Sequence, residues 1–330
     1  MKALTLIAIL VAAAAAGMLV GGTPLPAAQI AWALAHPHAS GVVGAIVWQL
    51  RLPRVCVAAT VGASLALCGA MLQGLLRNPL VDPYLTGVSA GAAAAIAVAI
   101  LAGASPAATP AVGFLAGLGA ALLVAALARR GGGIDGTRLI LAGVSLSTLF
   151  AAIVTLAVVR AQSGDYASTI VAWLAGSMAG RGWRELETVA PYVTAGAVLA
   201  LWAAAPLNAL RVGELRARSV GVGVERAQWI ILAASSLLAA SSVVLAGLVG
   251  FIGLIVPHLA RRLVGSDSRV LLPACAAIGA TLCIVADAVC RRIVAPAELP
   301  IGVLLAFIGV PTFLYLYLRP AVRSGSGVRG

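Results

Sequence analysis

The residues able to do chemistry in this chain are few, and their placement limits what they could do. The ten acidic side chains are Asp82, Asp135, Asp165, Glu185, Glu187, Glu214, Glu225, Asp267, Asp287 and Glu298. Nine fall in loops or at the ends of apolar runs, and Asp287 alone lies inside one. Arg291 follows it at i+4 on the same helix face, so an ion pair near a helix end accounts for the position. A proton relay needs ionisable groups inside the membrane, and nothing else here could form one. Lysine is scarcer still, because Lys2 is the only one. A phosphate loop of the form G-x-x-x-x-G-K-[ST] needs a mid-chain lysine to reach the β- and γ-phosphates. Any ATP that drives this protein must therefore be bound by another subunit. His258, in PHLARR, has no adjacent acidic partner, and no H-E-x-x-H occurs. Gly87, Ser89 and Gly91 match the spacing G-x-S-x-G, but that motif works at a strand-to-helix turn; here it opens an apolar helix, where close packing explains it. The five cysteines sit in apolar stretches without C-x-x-C spacing and read as small buried hydrophobes. The sequence predicts no catalytic residue, no cofactor site and no metal site.

The elements that would carry these residues are set by composition. Of 330 residues 62% are hydrophobic and 10% charged, with a net charge of +12 and a mean hydropathy of +1.08. Soluble domains carry about 25% charged residues, so a water-exposed surface of ordinary size cannot be covered. Apolar runs long enough to span a bilayer occupy 3–22, 52–76, 84–103, 107–128, 139–159, 189–205, 229–249, 270–290 and 301–318, with a short helix at 252–263. The expected fold is all-α: a polytopic membrane bundle of about ten transmembrane helices. It forms one domain over 1–318, followed by a polar tail at 319–330. Residues 160–187, with Trp173 and Trp183, read as interfacial. Lys2, the apolar run and AAAAAG also fit a signal peptide, but the topology works best if this first span stays. With the N-terminus inside, fifteen of the 22 basic residues fall on inner loops and ends and seven on outer ones. That bias places both termini in the cytoplasm. Glycines 62, 69 and 74, and 113, 117 and 119, would let helices approach closely.

Three segments read as more than spans. In RNPLVDP, Asn78 precedes Pro79 and Asp82 precedes Pro83, and proline disfavours helix in the residue before it. The chain must break there and turn into the next span. Gln73, one turn before Arg77, can hydrogen-bond the freed backbone groups. In 207–222, Glu214 and Arg218 are spaced i,i+4, Arg211, Arg216 and Arg226 add positive charge, and Gly221 and Gly223 stop or kink the helix. Short helices of this kind on the cytoplasmic face suit docking to a soluble partner. At the outer face Arg51 and Arg54 flank Leu-Pro, and Arg291 and Arg292 end a span. Anchoring at the interface is one reading of these arginines; complementarity to an acidic partner is another.

Six blocks, in order along nearly the whole chain, resemble the FecCD family of permease subunits. They are RLPR (51–54), GAMLQGLLRNPLVDPYLTGVSAGA (69–92), WLAGS (173–177), LNALRVGELRARSVGV (207–222), GLVGFIGLIVPHLARR (247–262) and ELPIGVLLAFIGVPTF (298–313). The resemblance implies a homodimer of ten-span permeases in a bacterial inner membrane. It implies two cytoplasmic ATP-binding subunits, with ATP and Mg bound on those subunits, and a periplasmic substrate-binding protein. It implies contact with membrane lipid and none with nucleic acid. Binding-protein docking would map to Arg51, Arg54 and Arg291. ATPase coupling would map to Arg211, Glu214, Arg218, Ser219 and Gly221. A gate would involve Gln73, Asn78, Pro79, Asp82 and Pro83. The cargo expected first is an iron chelate, a ferric siderophore or haem; cobalamin is the alternative, and a secondary transporter or a membrane enzyme are the rival classes.

Overall fold

In lipid every backbone polar group must be satisfied within the protein, so long apolar runs fold as helices. A computed structural model describes residues 2–37, 41–105, 108–131, 133–161, 164–295 and 297–318. Its helices are α1 (Lys2–Leu19), α2 (Ala27–Ala35), α3 (Val42–Ala45), α4 (Leu52–Leu75), α5 (Val88–Leu101), α6 (Thr109–Ala128), α7 (Gly136–Arg160) and α8 (Gly164–Leu174). They continue with α9 (Trp183–Trp202), α10 (Ala204–Val212), α11 (Glu214–Ser219), α12 (Val224–Ala246), α13 (Ile252–Val264), α14 (Ser268–Ile293) and α15 (Ile301–Leu318). A π-helical turn, Ile46–Arg51, leads into α4, and a 3-10 turn, Pro83–Thr86, precedes α5. Between α6 and α7 the two-residue strands Arg129–Arg130 and Gly133–Ile134 pair antiparallel. The tail expected at 319–330 lies outside the described residues.

The expected all-α polytopic bundle is present, and its roughly ten transmembrane helices are of unequal length. Among the described residues six helices are long and apolar enough to cross a membrane, and the pair α9–α10, bent by 52°, would make a seventh. The helices Val88–Leu101 and Ile301–Tyr315 are apolar but shorter. The cause is local. The α5 run is cut by Pro83 and by Gly87 at φ +75°, and α13 starts only after Phe251, at φ +67°. α13 has 13 residues, or about 20 Å of rise, short of the ~30 Å hydrocarbon core.

α4 and α12 form the centre: the apolar windows of Val42–Leu75 and of α12 are 78% and 72% buried, against 17% for α1 and 11% for α7. The central packing is backbone on backbone. A Cβ at Gly62 would overlap the Gly279 carbonyl of α14, and one at Gly69 would overlap the Gly253 carbonyl of α13. Gly74 packs on Leu207, Gly113 on Ile96 and Gly117 on Val88, whereas Gly119 faces open space and serves no close approach. Small residues do this because lipid gives helices no hydrophobic reason to associate, leaving van der Waals contact as the main attraction.

Candidate functional site

Two helix ends meet beside the C-terminus of α1. α4 begins there and α14 ends there, so two chain segments more than 230 residues apart bring their arginines together. Arg51, in the π-helical turn, is 5% exposed and donates to the carbonyls of Met18 (2.6 Å), Leu19 (3.4 Å) and Thr23. Arg291 is 9% exposed and donates to the carbonyls of Gly17 (3.0 Å) and Val20. Most of these are the last carbonyls of α1, which have no partner within their own helix and form the negative end of its dipole. Arg54 grips Asp287 with Nε and Nη2 at 2.9–3.1 Å and Glu298 with Nη1 and Nη2 at 2.8 Å. The Arg291 Nε lies 3.0 Å from the other Asp287 oxygen. A buried carboxylate is thus held between two guanidinium groups. Hydrogen bonding from Arg54 also keeps the Glu298 carboxyl below its ordinary value.

The sequence reading is right that Arg51, Arg54 and Arg291 share one end of the bundle and that Asp287 pairs with Arg291. It is corrected in one respect: these arginines are not free surface cations. Arg51 and Arg291 are buried and committed to the end of α1, and Arg54 is committed to two carboxylates. What faces outward here is Glu298, with Arg184 and Arg292. A cavity of about 410 Å³ opens beside them, lined among others by Gln49, Arg54, Arg184 and Glu298. The partners of Arg51 and Arg291 in α1 were missed because no spacing rule links residues so far apart.

At the opposite end α4 stops where the proline motif begins. Asn78 accepts from the Leu80 N–H (2.9 Å) and Asp82 from the Tyr84 N–H (3.0 Å), so each prolyl bond is bracketed by a side-chain turn. Gln73 donates to the carbonyls of Val81 (3.2 Å) and Gly253 (3.0 Å), as its position suggested, and accepts from Arg261 (2.7 Å). One amide therefore ties α4, the Pro79–Pro83 turn and α13 together. Arg261 gave no signal in the sequence beyond being basic.

The short helices expected in 207–222 are two. Gly213, at φ +131°, separates α10 from α11. Glu214 does not pair with Arg218; it accepts from Gln228 (3.3 Å), whose own carbonyl accepts from the Ile134 N–H (2.8 Å). Gln228 was overlooked because it lies within the first turns of an apolar span. Arg211 donates to the Ser266 carbonyl, and Asn208 donates to Asp267 (2.6 Å) and accepts from the Ser268 N–H (2.8 Å). The Ser219 hydroxyl donates to the Arg216 carbonyl, and Gly221, at φ +82°, ends the helix as expected. α11 buries Ala217 and exposes Leu215 (86%), with Val220 (71%) exposed just after it, beside Arg216 and Arg218. Among the described residues no group of three or more His, Cys, Asp or Glu side chains could hold a metal ion.

Comparison with known proteins gives this geometry a family. The model of the FecCD transport family matches residues 6–319. The chain is 40% identical over 313 residues to the cobalamin import system permease protein BtuC of Halobacterium salinarum, covering 92% of this chain and 82% of that one. It is 35% identical over 300 residues to the Fe(3+) dicitrate transport system permease protein FecC of Escherichia coli K12, covering 90% of each. A solved ABC transporter assigned to the metal-chelate type, in an inward-facing conformation, superposes with a TM-score of 0.86 at 34% identity, covering 95% of this chain and 97% of that one. The chain belongs to the FecCD transport family and is a multi-pass transmembrane permease subunit of an ABC importer.

Proposed function

We propose that two copies of this chain form a bacterial inner-membrane permease that carries an iron chelate, a ferric siderophore or haem, from periplasm to cytoplasm. The energy comes from ATP and Mg bound on two separate cytoplasmic subunits, and the chain itself hydrolyses no ATP. The observation that carries this reading is α11. Leu215 on α11 and Val220 just after it stand exposed at the end of the bundle that the arginine count assigns to the cytoplasm. Apolar side chains held out on and just after a short, rigid helix, flanked by Arg216 and Arg218, are a shape for seating in a groove of a soluble partner. The tie from Glu214 through Gln228 to α12 gives a displacement of α11 a route into the bundle. The second copy would cover α7, which exposes most of its surface, and the outer surfaces of α15, where Phe307 is 76% exposed. A periplasmic substrate-binding protein would dock on the rim formed by Arg54, Glu298, Arg184 and Arg292, with Arg51 and Arg291 holding that rim in place. The turn from Gln73 through Asn78, Pro79, Asp82 and Pro83 would act as a gate, since it touches both α4 and α13.

Cobalamin is the second reading for the cargo, favoured by relatives named for its import, one of them 40% identical. The test is reconstitution in vesicles with the ATP-hydrolysing subunit and the binding protein, offering a ferric siderophore, haem and cobalamin in parallel. ATP-dependent uptake of one iron chelate supports the proposal. Uptake of cobalamin alone replaces the cargo and leaves the rest standing. Uptake driven by an ion gradient without the ATPase would make the chain a secondary transporter.

A further inference from the structure

At the junction of α8 and α12 lies a second cavity, which meets the first at Arg181. It measures about 440 Å³, within the usual range of small-molecule sites. Ile96 and Ile100 of α5 and Val244 of α12 form its apolar wall, Tyr166 and Trp173 of α8 its aromatic side, and Arg181 its one charge. Ile96 and Val244 are almost wholly buried, so the wall belongs to the interior of the bundle.

Arg181 is the anomaly. Arg51, Arg54 and Arg291 at the same end are fully engaged, yet among the described residues the Arg181 guanidinium makes no hydrogen bond and no ion pair. Its one electrostatic partner is Glu185, and that carboxylate accepts from the Gly182 N–H at 2.8 Å. Burial pulls the Arg181 guanidinium below its ordinary value, so its charge is held at a cost. A partly desolvated cation that Glu185 balances without touching has its donors open to an anion from outside the chain. A bare anion would satisfy the cation and leave Ile100, Tyr166 and Trp173 facing water. Tyr166 and Trp173 are the residue types that sit at the level of lipid headgroups, and the cavity lies at the end of the spans where headgroups are.

We infer that this cavity is a binding site for an anionic phospholipid, its phosphate on Arg181 and one acyl chain along Ile96, Ile100 and Val244. The lipid would wedge α8 against α5 and α12. The zwitterionic lipids carry a second, positive charge for which the cavity offers no carboxylate, so they should bind less well. This inference rests on the cavity and not on the cargo, and it can fail without affecting the transport reading.

The experiment is native mass spectrometry of the purified full chain in detergent, titrated separately with phosphatidylglycerol, phosphatidylcholine and inorganic phosphate. The wild type should retain one phosphatidylglycerol at least tenfold more tightly than phosphatidylcholine, and no phosphate. Arg181→Gln should abolish that preference, Arg181→Lys should keep part of it, and Ile100→Trp, which fills the cavity and spares the charge, should also lose the lipid. Retention of phosphatidylglycerol in Arg181→Gln equal to wild type, equal retention of phosphatidylcholine by the wild type, or retention of phosphate alone would each overturn the inference. Should Arg181→Gln fail to elute as a folded species, the Lys and Trp variants decide it: unchanged lipid retention in both overturns the site.

Discussion

The two ends of the bundle are both rich in arginine, and two groups of these arginines, Arg51, Arg54 and Arg291 at one end and Arg216 and Arg218 at the other, are used in opposite ways. At the end where α1 and α14 finish, Arg51 and Arg291 turn inward and cap α1, and Arg54 is locked to Asp287 and Glu298. At the other end Arg216 and Arg218 turn outward from a six-residue helix that also displays Leu215, with Val220 exposed just after it. The first arrangement spends charge on internal order. The second leaves charge and apolar surface for something else to use. Counting arginines sets the orientation of such a chain, but it does not tell a strut from a docking surface; burial and partners do.

If the contrast is real, substitutions should cost stability at one end and function at the other. Asp287→Ala has the largest expected effect on stability, because it strands two arginines at a buried site. Breaking such a pair costs about 3–5 kcal/mol, and unfolding in mixed micelles should show it. Arg51→Ala removes the cap on α1 and leaves its carbonyls without partners; about 2 kcal/mol should be lost, in keeping with hydrogen bonds to charged groups, and α1 should become more open to protease. Glu298→Gln weakens only the exposed arm of the Arg54 network, so about 0.2–1 kcal/mol is expected, together with slower association of the binding protein at low salt. Arg216→Ala should change stability by no more than about 0.5 kcal/mol while ATP-driven uptake falls. A large loss of stability at Arg216, or none at Asp287, would erase the distinction between the ends.

Local chemistry explains how much of this was legible in the sequence. The apolar blocks located the helices, and Asn78–Pro79 and Asp82–Pro83 located a break, because each rests on interactions within a few residues. Gln73 could be assigned to freed backbone groups for the same reason. The i,i+4 rule brought Asp287 to Arg291 correctly. Glu214 and Arg218 keep the same spacing within α11, but there the carboxylate takes its hydrogen bond from Gln228 of α12. Arg51 and Arg54 show the limit most clearly. Three residues apart and alike in type, one caps a helix that ends 32 positions earlier and the other binds a carboxylate 233 positions later. The local signs that this segment faces a partner were the charges of Arg211, Glu214, Arg216 and Arg218 and the stop at Gly221 and Gly223; exposed Leu215 gave none.

The central claim is that α11 is where the ATP-hydrolysing subunit engages this permease. Co-purification of that subunit with a Leu215→Asp variant, with the unfolding midpoint of the permease recorded on the same sample, tests it most directly. The account predicts a wild-type midpoint with the ATPase subunit lost from the complex. Retention of the subunit at wild-type stoichiometry by the folded variant would contradict it.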